Sequence, residues 1–142
     1  MAKKKVLYYQ QGEYIIKEGG TDKRMYIIVE GQVKITLSDG REKIDVANLE
    51  KGAFFGEMSL FNDAPRSATA TAMTNVKLAY IDNTEELQRF LHLNPGFAAK
   101  MAQIMAKRLA KTNEILIKEF KQVNKYKYLN NVIDTNYFEE KK

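Results

Sequence analysis

The first half of the chain is a series of short apolar-alternating segments separated by glycines, and this pattern restricts the possible folds more than any other feature. Alternation of apolar and polar residues predicts strands over residues 13–16, 25–29, 32–37, 43–49 and 76–81. Turn glycines stand between these segments at Gly12, Gly19, Gly31, Gly40 and Gly52. Many short strands at nearly even spacing predict a barrel or a jelly roll.

Asp39-Gly40 is the strongest turn signal of this half. A tight two-residue hairpin turn needs positive φ, which glycine adopts without steric cost. We therefore predict a tight turn at Asp39-Gly40, between the strands over 32–37 and 43–49.

The second half has a helical pattern. Asn83 is placed to cap a first helix, and Glu86 follows three residues later as in a capping box. Asn94-Pro95 ends that helix and begins another, which meets no breaker before about Lys125. At 1.5 Å per residue this second helix would be roughly 45 Å long.

Composition limits the class of protein. The 142 residues suffice for one domain, and the content of 44% hydrophobic and 29% charged residues is typical of globular proteins. No apolar run approaches the ~18 residues that a membrane span needs. The net charge of +5 is spread along the chain, whereas nucleic-acid binding usually needs a concentrated basic face. A cytoplasmic location is the default expectation.

Catalytic and metal-binding patterns are missing from the sequence. The chain has one histidine, His92, and no cysteine, so a metal-dependent barrel enzyme would lack its ligands. Neither a Walker P-loop nor a dinucleotide fingerprint occurs. We expect a protein without enzymatic activity and without a metal site.

The segment over residues 54–72, FFGEMSLFNDAPRSATATA, contains the most specific motif of the chain. It resembles the phosphate-binding cassette of the cyclic-nucleotide-binding family, in which Phe-Gly-Glu and Pro-Arg flank a short spacer. The match includes the spacer length and departs at Ala70, where valine is common in the family. The resemblance extends over residues 7 to about 117. It implies an eight-stranded β-roll, mostly β, with C-terminal helices, and a bound cyclic nucleotide.

The family's phosphate site, carried over to this chain, comprises Gly56, Glu57, Met58, Ser59, Arg66 and Ser67. Gly56 lets the backbone approach the ligand, and the turn from Glu57 offers free N–H groups to an anion. The planar guanidinium of Arg66 is a fork for two phosphate oxygens, and Ser67 can donate one more hydrogen bond.

The remaining parts of the ligand need other residues. The Glu57 carboxylate can accept the 2′-hydroxyl of the ribose, with its charge offset by Arg66. Apolar Ile35 and Val46, facing the barrel interior, are predicted to cover ribose and base. Taken singly, the glycine, the acid and the arginine also fit ordinary structural roles. Their occurrence together at this spacing favours the binding site.

The long helix carries a second pattern, in which small or apolar residues recur by threes and fours as in a coiled-coil seam. The seam comprises Ala99, Ala102, Ala106, Leu109, Asn113, Leu116, Phe120 and Val123. We predict a homodimer through this helix. A helix lying on its own barrel is the alternative, and the residues for that contact are Phe97, Met101, Ile104, Met105 and Ile115.

Residues 107–114 are also similar to the dimer helix of family members that read adenine with a Thr-Ser pair. Thr112 and Asn113 occupy those two positions, so we expect cyclic AMP as the ligand, with cyclic GMP as the alternative. Some family members continue into a DNA-binding helix-turn-helix domain, which residues 1–142 lack. We therefore expect no direct DNA binding and an unknown downstream protein.

These observations predict one domain over residues 1–125, including the long helix, and a tail over residues 126–142. The aromatic and aliphatic residues of the tail predict that part of it packs; these are Tyr126, Tyr128, Leu129, Val132, Ile133, Tyr137 and Phe138. The predicted function is that of a cyclic AMP sensor. The alternative is a protein-interaction module whose pocket is vestigial.

Overall fold

The computed structural model describes the backbone of residues 5–130 and the side chains of residues 5–125. Its strands are β1 (Val6–Tyr9), β2 (Tyr14–Ile16), β3 (Met25–Glu30), β4 (Val33–Ser38), β5 (Lys43–Leu49), β6 (Phe54–Phe55), β7 (Thr69–Ala72) and β8 (Val76–Ile81). Its helices are α1 (Glu57–Phe61), α2 (Thr84–Leu93) and α3 (Pro95–Asn130).

The strands form two antiparallel sheets of four, in the orders β1-β8-β3-β6 and β2-β7-β4-β5. Each of the five strand segments expected from the sequence is present, with ends shifted by no more than one residue. The mostly β fold of eight strands followed by helices is thus confirmed.

The core is built from alternate residues of both sheets. Its largest members from β3 and β6, Tyr26 and Phe55, stack with ring centroids 5.2 Å apart. Val33 of β4 and Leu78 of β8 have no exposed surface. Each such side chain contributes about 1.5–3 kcal/mol on burial, so packing between the two sheets stabilises the fold.

The turn expected at Asp39-Gly40 is present in the loop over residues 39–42, because β4 ends at Ser38 and β5 begins at Lys43. The Asp39 carboxylate accepts the backbone N–H groups of Arg41 and Glu42, each at 2.8 Å. The backbone N–H of Asp39 also donates to the carbonyl of Glu42 at 3.2 Å, and these three bonds stabilise a four-residue turn in which Gly40 has a φ of 91°.

The predicted helix starts are confirmed. The Asn83 side chain accepts the N–H of Glu86 at 2.9 Å, and the Glu86 carboxylate accepts the N–H of Asp82 at 3.0 Å. Pro95 is the first residue of α3. That helix continues five residues beyond the predicted end at Lys125, because neither glycine nor proline interrupts it there.

One compact unit ends at Leu93 and a second begins at Asn94. The predicted tail over 126–142 includes the last turn of α3, to Asn130. The expected packing of the tail concerns side chains outside the described ones. Within residues 5–130, none of the helices combines the length and hydropathy needed to cross a membrane.

Candidate functional site

The turn between β6 and α1 needs a glycine. Gly56 has a φ of 83°, in the left-handed region. A Cβ at this position would lie 2.8 Å from the carbonyl oxygen of Arg24 and 3.0 Å from Nη1 of Arg66. The absence of a side chain therefore allows an arginine to lie against the turn.

The short helix α1 begins directly after this glycine. Glu57 and Ser59 are buried, whereas Met58 is exposed. The N–H groups of a first helical turn have no carbonyl partner within the helix. The predicted turn at Glu57-Met58-Ser59 is thus confirmed as helical.

Arg66 is the most deeply buried charged side chain among the described residues, with 3% of its surface exposed. Its Nη1 donates to the carbonyl of Gly56 at 2.9 Å, and its Nη2 donates to the carbonyl of Arg24 at 2.6 Å. Nε and Nη2 also donate to the two carboxylate oxygens of Asp22, at 3.3 and 2.8 Å. Four contacts therefore hold the guanidinium in one orientation.

Asp22 is a site residue that the sequence reasoning missed. Its bonds to Arg66 hold the pKa of its carboxyl below the usual value of 3.8, so this carboxyl is ionised at neutral pH. Asp22 lies 44 residues from Arg66 in a charged turn, Asp-Lys-Arg, that is typical of a solvated loop. No spacing rule connects the two positions, and only the folded chain brings them together.

The loop over residues 17–24 is joined to the cassette along its length. Gly19 donates its N–H to the carbonyl of Arg66, and Arg66 donates its own N–H to the carbonyl of Gly20, both at 2.8 Å. The N–H of Glu18 donates to the Thr69 hydroxyl at 3.0 Å. Lys23 forms an ion pair with Asp63. This loop is the second wall of the site.

Ser67 is exposed next to Arg66. Its hydroxyl lies 4.0 Å from the sulfur of Met58, a weak acceptor. The cassette thus brings together the donors of Arg66, the Ser67 hydroxyl and the first turn of α1.

Ile35 and Val46, which were predicted to cover the ribose and base, differ in their exposure to solvent. Ile35 of β4 is half-buried against the core. Val46 is 37% exposed and has no partner on β4, because the register shifts between the pairs Ile35–Ala47 and Thr36–Asp45. A β-bulge at this point explains why strict alternation does not predict the direction of Val46.

Two further apolar residues were missed by the sequence reasoning. Leu37 and Ile44 are paired across β4 and β5 and are 40% and 58% exposed. Leu37 alternates with Ile35 and so shares its core-facing side. On β7, Thr69 pairs with Thr36, which puts Leu37 one step towards Ser67 along the sheet. An uncovered apolar surface therefore borders the cassette.

On α3, Thr112 and Asn113 are exposed. The Thr112 hydroxyl donates to the carbonyl of Arg108 at 2.8 Å, so its lone pairs stay available as acceptors. Met101 is 5% exposed, whereas Leu109 and Leu116 of the seam are 62% and 65% exposed. The roles of these helix residues in ligand binding and dimerisation remain predictions.

Two other kinds of site, metal centres and surface depressions away from the cassette, have less support in the structure. Among the described residues, no three His, Cys, Asp or Glu side chains are grouped so as to hold a metal ion. Two surface depressions of about 410 and 420 Å³ lie beside β1 and beside β8. Neither contains a cassette residue, so we do not assign the ligand to them.

Comparison with known proteins gives one consistent family. A family model described as the cyclic nucleotide-binding domain matches residues 6–93. The chain is 32% identical over 110 residues to a CRP-like cAMP-activated global transcriptional regulator of Mycobacterium tuberculosis, and the match covers 76% of this chain and 48% of that protein. It is 36% identical over 118 residues to cGMP-dependent protein kinase 2 of Homo sapiens, covering 75% of this chain and 15% of the kinase.

Among solved structures, the chain is similar to the catabolite activator protein of Thermus thermophilus. The TM-score is 0.67 at 28% identity, and the match covers 78% of this chain and 52% of that one. The chain thus spans about half the length of the bacterial regulators that it matches.

Proposed function

Because this chain belongs to the cyclic nucleotide-binding domain family, we propose that it is a regulatory sensor that binds cyclic AMP in preference to cyclic GMP and does no chemistry on it. The observation that carries the proposal is the buried guanidinium of Arg66 beside the left-handed Gly56 and the start of α1. A fixed cation together with free N–H groups is suited to a singly charged phosphodiester.

The cyclic phosphate is held by the cassette. Arg66 provides the positive charge, and the Ser67 hydroxyl exchanges its weak contact with the Met58 sulfur for a phosphate oxygen. N–H groups of the first turn of α1 donate to the same group. The burial of Arg66 strengthens its attraction to the phosphate, because the effective dielectric constant around a buried guanidinium is below that of water.

The sugar and base use the neighbouring surface. Glu57, buried beside the phosphate site, accepts the ribose 2′-hydroxyl. Ile35 and Val46, together with the uncovered Leu37 and Ile44, form the apolar side that the ribose and base cover. Burying such surface contributes about 25 cal/mol per Å².

The base is read by Thr112 and Asn113. The Thr112 hydroxyl already donates to Arg108, so it meets the ligand as an acceptor. Adenine presents a donor, its N6 amino group, at the edge where guanine presents a carbonyl oxygen. The pairing is therefore favourable for adenine and repulsive for guanine, although the Asn113 amide can rotate and donate.

The output passes through α3 to a dimer mate or to a downstream protein. The exposed seam of α3 supports this step. Leu109, Leu116 and Phe120 are exposed to water, and covering them with a partner is energetically favourable. The relatives include a transcriptional regulator and a protein kinase, and we infer a downstream protein whose class is not fixed by these two.

An interaction module with a vestigial pocket is the second candidate. The observation that favours it is the set of four contacts that Arg66 makes within the protein. Under this alternative the arginine is structural, and the cassette holds the loop over residues 17–24 without a ligand.

Ligand selection tests the proposal. Titration calorimetry with cyclic AMP, cyclic GMP and adenosine is expected to give the affinity order cyclic AMP, cyclic GMP, adenosine. The difference between the two cyclic nucleotides is expected to be about 1–3 kcal/mol, the cost of an unpaired polar group. The double variant Thr112→Ala with Asn113→Ala narrows that difference, whereas the control Asn124→Ala on the same helix preserves it. Equal affinities in the parent refute the base assignment, and no binding of any of the three ligands favours the vestigial pocket.

A further inference from the structure

A continuous set of polar contacts leads from the cassette to the side chain of Asp82. The carbonyl oxygen of Arg24 accepts a hydrogen bond from Nη2 of Arg66 at 2.6 Å. The side chain of the same residue donates from Nε to the Asp82 carboxylate at 2.9 Å. Arg24 therefore contacts the phosphate-binding arginine through its backbone and Asp82 through its guanidinium.

The contacts continue into the start of α2. The other carboxylate oxygen of Asp82 accepts from the ammonium of Lys5 at 2.9 Å, and Lys5 also pairs with Glu86. Glu86 belongs to the first turn of α2 and accepts the N–H of Asp82 at 3.0 Å. The N–H of Glu86 in turn donates to the Asn83 cap. The network thus ends in the bonds that define the first turn of α2.

Donor counting shows where a ligand would disturb this network. A guanidinium has five N–H groups, and the four contacts of Arg66 leave one, on Nη1. A fork to two phosphate oxygens needs two. The Asp22 carboxylate is held by two charged hydrogen bonds, whereas the Arg24 carbonyl is neutral and is held by one. The Gly56 carbonyl is also neutral, but releasing it would free two donors of the same nitrogen, Nη1, whereas a fork uses one donor from each of two nitrogens. The Arg24 carbonyl, on Nη2, is therefore the acceptor that yields to the anionic phosphate.

We propose that Arg24 is a positioning residue that couples the phosphate site to the first turn of α2. The inference rests on the proposed function, because the phosphate supplies the competing acceptor. When phosphate takes the Nη2 donor, the peptide group of Arg24 is released from Arg66. The Arg24 guanidinium, which lies 4.4 Å from the ring centroid of Tyr80, changes its contact with Asp82, and Lys5 and Glu86 adjust with it.

The contacts of Arg24, Asp82 and Lys5 couple the phosphate site to α2 and contribute little to the stability of the fold. Arg24, Asp82 and Lys5 are each about one-third to two-fifths exposed, and surface ion pairs of this kind add little to the free energy of unfolding. A ligand shifts a conformational equilibrium only through contacts that differ between the two states. The bond from Arg66 to the Arg24 carbonyl is such a contact.

The test is residue-resolved amide hydrogen exchange in the first turn of α2, measured by NMR with and without saturating cyclic AMP. In the parent, saturation is expected to change the exchange rates of Glu86 and Leu87 several-fold. Arg24→Met keeps the backbone carbonyl and the apolar stem but removes the guanidinium, and it is expected to lose that change. Asp82→Asn is expected to lose it as well, without altering the cassette. Arg24→Lys, which keeps the charge, recovers part of the change.

Arg41→Met is the matched control, because it removes an exposed arginine from the loop after β4 and preserves the response. Calorimetry with cyclic AMP on the same samples distinguishes a failure of the proposed function from a failure of the inference about Arg24. A parent that does not bind cyclic AMP overturns the proposed function and this inference with it. A parent that binds, but whose α2 response is absent or is the same in Arg24→Met and Asp82→Asn, overturns the inference alone.

Discussion

The chemistry of the site depends on one buried cation and the half-exposed acid that accompanies it. A buried charge costs several kcal/mol unless it is paired and hydrogen-bonded. Arg66 is 2% exposed in its side chain and has Asp22 as its counter-ion, while Asp22 is 48% exposed. The pair therefore stabilises the guanidinium in the free protein. The same carboxylate is a negative charge close to where the phosphate would bind.

Asp22→Asn is predicted to separate these two effects. The ligand-free protein is expected to lose about 1–2 kcal/mol of stability, because one charged hydrogen-bond acceptor is replaced by a neutral one and solvent screens part of the loss. Cyclic AMP is expected to raise the melting temperature of this variant more than that of the parent, since the phosphate then supplies the missing negative charge. Thermal melts with and without ligand measure both changes, and Asp45→Asn, in another surface ion pair, is the control. A variant with a smaller ligand-induced shift than the parent would contradict the electrostatic argument.

The same pair predicts how stability depends on pH. The pKa of Asp22 is lowered in the folded state, so its contribution is present above the usual value of 3.8 and is lost as the pH falls through the lower, folded value. The difference in unfolding free energy between parent and Asp22→Asn is expected to shrink under acid. Melting curves between neutral pH and about pH 3 test this, because the difference would stay constant if Asp22 were unpaired.

At the level of elements, the seam of α3 is the largest exposed apolar feature that the sequence pattern predicts. Besides Leu109 and Leu116, its members Phe120 and Val123 are 64% and 49% exposed. Among the residues expected to lie on the barrel, Met101 is buried, but Ile115 is 51% exposed. These exposures support an uncovered face towards the C-terminal half of the helix.

Leu116→Glu is predicted to convert a dimer into monomers. A carboxylate buried without a partner costs at least about 3 kcal/mol, which weakens a dimer more than a hundredfold. Light scattering with cyclic AMP present measures the mass. Lys118→Glu introduces the same charge away from the seam and is expected to remain dimeric. A parent that is monomeric at high concentration excludes the seam as a dimer interface.

Strong local patterns predicted most elements. The strands over 25–29 and 76–81 combine β-branched and aromatic residues with a clear apolar alternation, and both are present. β6, with two residues, and β7, with the sequence Thr-Ala-Thr-Ala, were not named as strands because neither is long or apolar enough to give a clear period. Pairing with β3 and β4 makes them strands, and pairing is a tertiary effect.

The candidate site was predictable where the chain is contiguous. Gly56, Glu57, Arg66 and Ser67 belong to one segment with a recognisable spacing. Asp22 and Arg24, which hold Arg66, come from a different loop. Their contribution depends on how β2 and β3 are placed in different sheets, and no local pattern encodes that arrangement.

At the level of the whole molecule, the first compact unit contains the cassette and the network to α2, and the second begins at Asn94. The network proposed to couple the phosphate site to α2 therefore lies within the first unit. The matches cover 48% of the bacterial regulator and 15% of the kinase, so both of these relatives extend beyond the matched segment.

Titration calorimetry with cyclic AMP on the parent, on Arg66→Ala and on the control Arg41→Ala decides whether Arg66 holds the cyclic phosphate. About one nucleotide per chain is expected to bind to the parent and to the control. Arg66→Ala is expected to lose ~2–5 kcal/mol of binding free energy, the cost of removing a buried charged partner. Arg66→Gln keeps most of the side-chain stem and is included in case Arg66→Ala does not fold. It is expected to bind cyclic AMP nearly as weakly as Arg66→Ala. Parent-like binding by folded Arg66→Ala or Arg66→Gln would show that this arginine does not hold the phosphate, and no binding by the parent would refute the proposed function.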